Sequence, residues 1–177
     1  MLSVMPRSKM THRKFKDHWP APNEYLLELG RMTTIWGTLE SSVNLAISKF
    51  AGYESALDFR ALIMVAHSNF QQRVDIIGAL CEQLLPEYPR LKDYEAVIAK
   101  IQAAQKARNK FAHNAMTSDE ETGGVSVSYA TARGSLKTKT EIVKLEAITD
   151  ATAKIHEAMC ALHTLVTGRE LKPLWER

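Results

Sequence analysis

The chain has 177 residues, 45% of them hydrophobic and 24% charged, with eight Gly and six Pro. That composition fits one soluble globular domain, with tails, that is large enough to bury a core. It excludes a membrane span, because no apolar run approaches about 18 residues, and the N-terminal "MLSVMPRSKMTHRKFKDHWP" lacks the apolar stretch of a secretory signal.

The net charge of +3 is unevenly placed. Residues 1–20 carry Arg7, Lys9, Arg13, Lys14 and Lys16 against Asp17, a total of +4, which leaves −1 for the other 157. The sequence therefore divides into a basic leader over 1–21, a helical domain over 22–168 and a short tail over 169–177. The leader reads as a solvated tail, although phosphate attraction could hold it near nucleic acid.

After "WPAPN", Leu29, Met32, Trp36, Leu39, Val43, Ala46 and Phe50 recur at spacings of three and four. That is the apolar face of a helix of roughly 27 residues, stopped by Gly52. Gly30, Thr34, Gly37, Ser41 and Ser48 make a second, small-residue face on which another helix could approach closely. Residues 55–86 read as one long second helix with Phe59, Ile63, Ala66, Phe70, Ile77 and Leu84 on its buried face. Pro86 and Pro89 bracket the next turn.

A third helix is expected from about Arg90 to about Ala115. Its stripe of Leu91, Tyr94, Ile98 and Ile101 continues in register into Gln105, Arg108 and Ala112, so it turns polar at its far end. "TSDEETGG" reads as a loop. "VSVSYA" and "SLKTKTEIV" alternate with period two around "TARGS", which predicts a β-hairpin over about 124–143. A last helix carries Ile148, Ile155, Met159, Leu162 and Val166 and ends at Gly168. The expected fold class is all-α: an antiparallel four-helix bundle with a β-hairpin inserted before the last helix.

"KARNKFAHNAM", residues 106–116, concentrates the chemistry. An Arg followed after four to six residues by a His occurs four times in the chain, as Arg7/His12, Arg13/His18, Arg60/His67 and Arg108/His113. Only the last lies on a core-ward helix stripe, beside an Asn and near a helix end. Five residues turn an ideal helix by about 140°, so Arg108 and His113 converge only if the helix end distorts, or if each meets its counterpart across a two-fold axis. A purely structural role is also open. Arg108 would favour the helix C-terminus electrostatically, His113 would cap terminal carbonyls, and Asn114 would end the helix.

"ARNKFAHN", with the order of helices around it, resembles the signature of the HEPN superfamily. The resemblance spans about residues 22–168, but its specific part is six residues. It implies a metal-independent endoribonuclease without cofactors, active as a homodimer and leaving a 2′,3′-cyclic phosphate and a 5′-hydroxyl. It also admits a toxin or defence component held by an antitoxin or other partner protein. By the same resemblance His113 is the general acid or base, Arg108 clamps the scissile phosphate, Asn109 orients His113 or the phosphate, and Glu40 on the first helix is an auxiliary candidate. Imidazole and guanidinium suit those tasks. The alternative within the family is a non-catalytic module for dimerisation or partner binding.

Other clusters read as structural. His156, Cys160 and His163 share a face of the last helix, but no fourth ligand accompanies them, so no metal is expected. His67 and Gln71 read as interhelical hydrogen-bonding residues. Trp36 reads as core or interface packing, and Arg133, Lys137 and Lys139 as a solvated basic hairpin. Cys81 and Cys160 read as reduced thiols of a cytoplasmic protein.

Overall fold

The computed structural model describes residues 19–55, 58–119, 124–131 and 134–177. Most of the basic leader, the centre of the acidic loop and Arg133 lie outside the described residues. Trp19, Pro20 and Ala21 of the expected leader lie within them. Ala21 is fully buried, and the Ser118 hydroxyl donates to Pro20 O at 3.3 Å, so the chain is anchored from there.

The order of elements is α1 (Asn23–Phe50), α2 (Phe59–Val65), α3 (Phe70–Leu84), a short 3-10 turn (Pro89–Leu91), α4 (Tyr94–Ala112), β1 (Ala115–Ser118), β2 (Val125–Thr131), β3 (Lys137–Ile142), α5 (Leu145–Thr167) and a final 3-10 turn (Leu174–Glu176). Apolar residues at helical spacing explain the long helices. Met32, Trp36, Leu39 and Val43 of α1 are buried against Ile148, Ile155 and Leu162 of α5 and against α3 and α4 in one apolar cluster. Val127 and Val143 extend that cluster to the sheet. Burial of such side chains supplies about 1.5–3 kcal/mol each before entropy is counted. Gly168 ends α5 with φ +70°, a left-handed conformation that favours glycine.

The expected four-helix bundle is not the architecture. The described residues form five helices and a three-stranded antiparallel sheet of order β1-β2-β3, an α+β fold. Two local features account for the difference.

First, the expected long second helix breaks between Val65 and Phe70. Asn69 takes an extended conformation and its side chain accepts from Gln72 N at 2.9 Å, while Asn69 N donates to Gln72 Oε1 at 2.8 Å. This reciprocal cap starts a new helix and satisfies two amides that would otherwise lack partners. Arg73 holds the break by donating to Ser68 O at 3.0 Å and Asn44 Oδ1 at 3.3 Å. The break also turns α2 relative to the expected stripe: Phe59 and Ile63 are 68% and 67% exposed, and Ala61 and Val65 are buried instead. His67 is exposed within the break, and Gln71 donates to Asp75 rather than across helices. Asn69→Ala is expected to lower the unfolding free energy by about 1 kcal/mol, and Asn69→Gly by a few tenths. Urea denaturation followed by circular dichroism would measure both.

Second, α4 ends earlier than expected, and the residues after it form a strand. Met116 of β1 faces Val127 of β2, and the Thr117 and Ser126 hydroxyls bond at 3.1 Å. β2 and β3 form the hairpin expected from the alternation, with Tyr129 opposite Lys139 and Val127 opposite Glu141.

The buried stripe of α4 is also rotated from the expected one. Val97, Ile101, Ala104 and Phe111 are buried, while Tyr94, Ile98 and Arg108 are half-buried on its margin.

Candidate functional site

The end of α4 carries the candidate residues. Phe111 and Ala104 fix its inner face in the core, which leaves Arg108 half-buried beside α1. The helix stops at Ala112, and His113 departs from helical geometry with φ −119° and ψ 4°. This distorted end removes the angular separation of a straight helix, and Arg108 Nη1 lies 2.8 Å from His113 Nε2. The same Nη1 donates to Asn109 Oδ1 at 3.2 Å. The guanidinium carbon stands 5.2 Å from the centroid of the buried Trp36 ring, within cation–π range.

A guanidinium has only donors. In this contact His113 Nε2 is therefore the acceptor. Among the described residues Arg108 meets no carboxylate, and its Nη2 and Nε hydrogens have no protein acceptor. The arrangement is a permanent cation with an open donor fork, seated on an aromatic face and touching an imidazole nitrogen.

Asn114, not His113, satisfies the terminal carbonyls. Its side-chain amide donates to Lys110 O at 2.8 Å and Asn109 O at 3.3 Å. This cap frees His113 to face Arg108. A second restraint comes from the sheet. Glu141 of β3 is ion-paired with Lys110 in the last turn of α4, with Lys139 at 2.9 Å, and accepts from the Tyr129 hydroxyl at 2.8 Å. These bonds, Lys110 foremost, hold the Glu141 carboxyl down at about 2. Lys139 is thus not a purely solvated charge.

Of the four residues singled out in the sequence, three come together: Arg108, Asn109 and His113. Asn109 touches Arg108 rather than His113. Glu40 is half-buried one turn beyond Trp36 and has no hydrogen bond or ion pair to the other three. Sequence reasoning gave Trp36 a packing role, which it has against Phe70 at 4.5 Å between ring centroids, but missed that it also underlies Arg108. It missed the Lys110–Glu141–Tyr129 tether as well. The available signal was a lone acid among basic and hydroxyl residues in "KTKTEI", on the strand face of Lys137 and Lys139.

The cysteines are both free and buried, and burial pushes the Cys81 thiol up to about 11. His156 and Cys160 are buried with Sγ 3.8 Å from Nε2, whereas His163 is exposed. Among the described residues no group of three or more His, Cys, Asp or Glu side chains is arranged to hold a metal ion, and no helix is long and apolar enough to cross a membrane.

Comparison of the chain with protein-family models, with curated proteins and with solved structures finds no match in any of the three.

Proposed function

We propose that the chain is an endoribonuclease of the HEPN type, in which Arg108 and His113 cleave RNA at a phosphodiester to leave a 2′,3′-cyclic phosphate and a 5′-hydroxyl. The observation that carries this reading is the guanidinium fork of Arg108, paired with no carboxylate among the described residues, in contact with the His113 ring. A half-buried cation without a carboxylate calls for an anion, and a planar fork matches the two non-bridging oxygens of a phosphodiester. As the phosphate takes up Arg108 donors, the His113 Nε2 lone pair is released to accept the 2′-hydroxyl proton. The 2′-oxygen attacks phosphorus, the bond to the 5′-oxygen breaks, and Arg108 offsets the charge that builds on the non-bridging oxygens. The leaving oxygen needs a proton while His113 holds one at the attacking side. A second copy of the chain would supply it from its own His113, in the imidazolium form and placed across a two-fold axis, and this is why a homodimer belongs to the proposal.

One observation favours a second reading, a partner-binding module. Phe59, Ile63 and Met64 on α2 are strongly exposed and unpartnered by the core. Such an apolar surface is unusual on a free monomer.

End-labelled mixed RNA, incubated in excess EDTA with wild type, Arg108→Ala and His113→Ala, separates the two, with circular dichroism to verify folding. The first reading expects cleavage by wild type and its near loss in both folded variants. Equal inertness of all three would favour the module. Equal cleavage by all three would place the activity elsewhere and overturn the assignment.

A further inference from the structure

The residues after Gly168 fold back along α5 as a strap, and the contact they make is built around His156. Gly168, in its left-handed conformation, is the hinge. Leu171 N donates to Thr164 Oγ1 at 3.1 Å, Arg169 N to Thr167 Oγ1 at 3.1 Å, and Arg177 Nε to Lys172 O at 3.0 Å. Leu174 N then donates to His156 Nε2 at 3.1 Å, and the Trp175 ring meets the imidazole in a tilted, edge-on contact with centroids 5.3 Å apart. His156 is only 6% exposed. Among the described residues it is also the one ionisable side chain besides the two cysteines in the buried set, whose other polar members are Ser48 and Thr152.

We propose that residues 169–177 form an acid-released strap, in which protonation of His156 undocks the C-terminal segment and opens the cleft between α4 and α5. The cleft is about 570 Å³ and has the strap as one wall, through Leu171, Pro173 and Glu176. A backbone N–H can donate to Nε2 only while that nitrogen keeps its lone pair. A protonated ring loses this acceptor, faces a donor with a donor, and places a cation in a site with little water.

The surrounding charges act in the same direction or are too exposed to reverse it. Burial, first, and the Arg177 cation, second, lower the His156 pKa below its ordinary value, and Glu157 on the same helix opposes them. Glu176 on the strap acts on the neighbouring Cys160, whose thiol is raised chiefly by burial. From the α4 side the cleft is lined by Arg90, Asp93 and Lys100, a net charge of +1 that also disfavours a protonated ring. Arg90 is occupied in capping Leu165 O at 2.9 Å and Val166 O at 3.2 Å. The α1 side of α5 is apolar core.

The sign follows from linkage. The docked ring binds its proton less readily than the free one. Docking is therefore complete at pH values above the ordinary histidine pKa of about 6.5 and weakens as pH falls through the lowered value, by up to about tenfold per pH unit for a single proton.

The test is NMR of the full chain between pH 8 and 5, reading the His156 ring titration and the hydrogen-exchange protection factors of the strap amides, with α1 core amides as the reference for an intact fold. The expected result is that Leu174 protection falls across the range, with the midpoint of the His156 titration, while α1 protection stays level. His156→Gln, which keeps an acceptor but does not titrate, should hold Leu174 protection constant. Arg177→Gln, which removes the opposing cation, should move the wild-type midpoint upward. Flat Leu174 protection in wild type, or a midpoint that differs from that of His156, overturns the proposal whether or not His156→Gln folds. A decline in His156→Gln that matches wild type overturns it as well.

Discussion

Trp36→Ala is expected to destabilise the protein by about 3–5 kcal/mol, the usual range for removing a buried aromatic ring. That corresponds to a fall in Tm on the order of 10 °C for a chain of this size. The ring is 4% exposed, packs against Phe70, and lies at the junction of α1 with α3 and α4, so its removal leaves a cavity that several helices would have to close. The consequence is not confined to stability. The same ring supports the Arg108 guanidinium, and without it the cation loses its aromatic face and its fixed distance to His113. Trp36→Phe keeps a ring face and is expected to lose about half as much stability or less. Thermal scans of both variants, paired with RNA cleavage at a temperature where each remains folded, separate packing from support of Arg108. A loss below about 1 kcal/mol for Trp36→Ala would mean that the helix junction does not depend on the ring.

The second large effect concerns charge shape. Arg108→Lys is expected to leave stability within about 1 kcal/mol of wild type, because the side chain is half-buried and has no ion pair to lose. Cleavage should nevertheless fall by roughly 10²-fold or more, the scale found when one fixed donor to a developing oxyanion is removed. Lysine keeps the unit charge but offers a compact ammonium in place of a planar fork, and it cannot bond a phosphate in two places while touching His113. Single-turnover rates with excess protein are the measurement to make. A lysine variant as fast as wild type would show that charge alone suffices and that fork geometry plays no part in the proposed chemistry.

The long helices were legible because burial follows a period that sequence exposes directly. Met32, Trp36, Leu39 and Val43 announce α1, and Ile148, Ile155 and Leu162 announce α5, with Gly168 closing it. The break before α3 was hidden for the same reason. Phe59, Ile63, Ala66 and Phe70 continue the helical phase without interruption across the break, so periodicity alone reads one helix. The contrary signal is local: Asn69 three residues before Gln72 is a capping pair, and the cap outweighs the continuity of the stripe. β1 was hidden because four residues with one partly buried side chain at every second position carry little pattern of their own. They are a strand because β2 is beside them. At the site, the Arg-Asn and His spacing was visible, and so was the need for a distorted helix end. The features that hold that end are contacts between distant segments, from Trp36 and Glu141, and no spacing within α4 encodes them.

The two restraints on the end of α4 also differ in when they can form. The Asn114 amide reaches Lys110 O only four residues back, a closure that costs little entropy and can arise with the helix itself. The Glu141 tether requires β3 to have paired with β2, so it closes only after the hairpin is in place. The end of α4 therefore carries one restraint local to the helix and one that depends on the hairpin. Without β3 the helix terminus that carries Arg108 and His113 would keep its local cap but lack its anchor to the sheet.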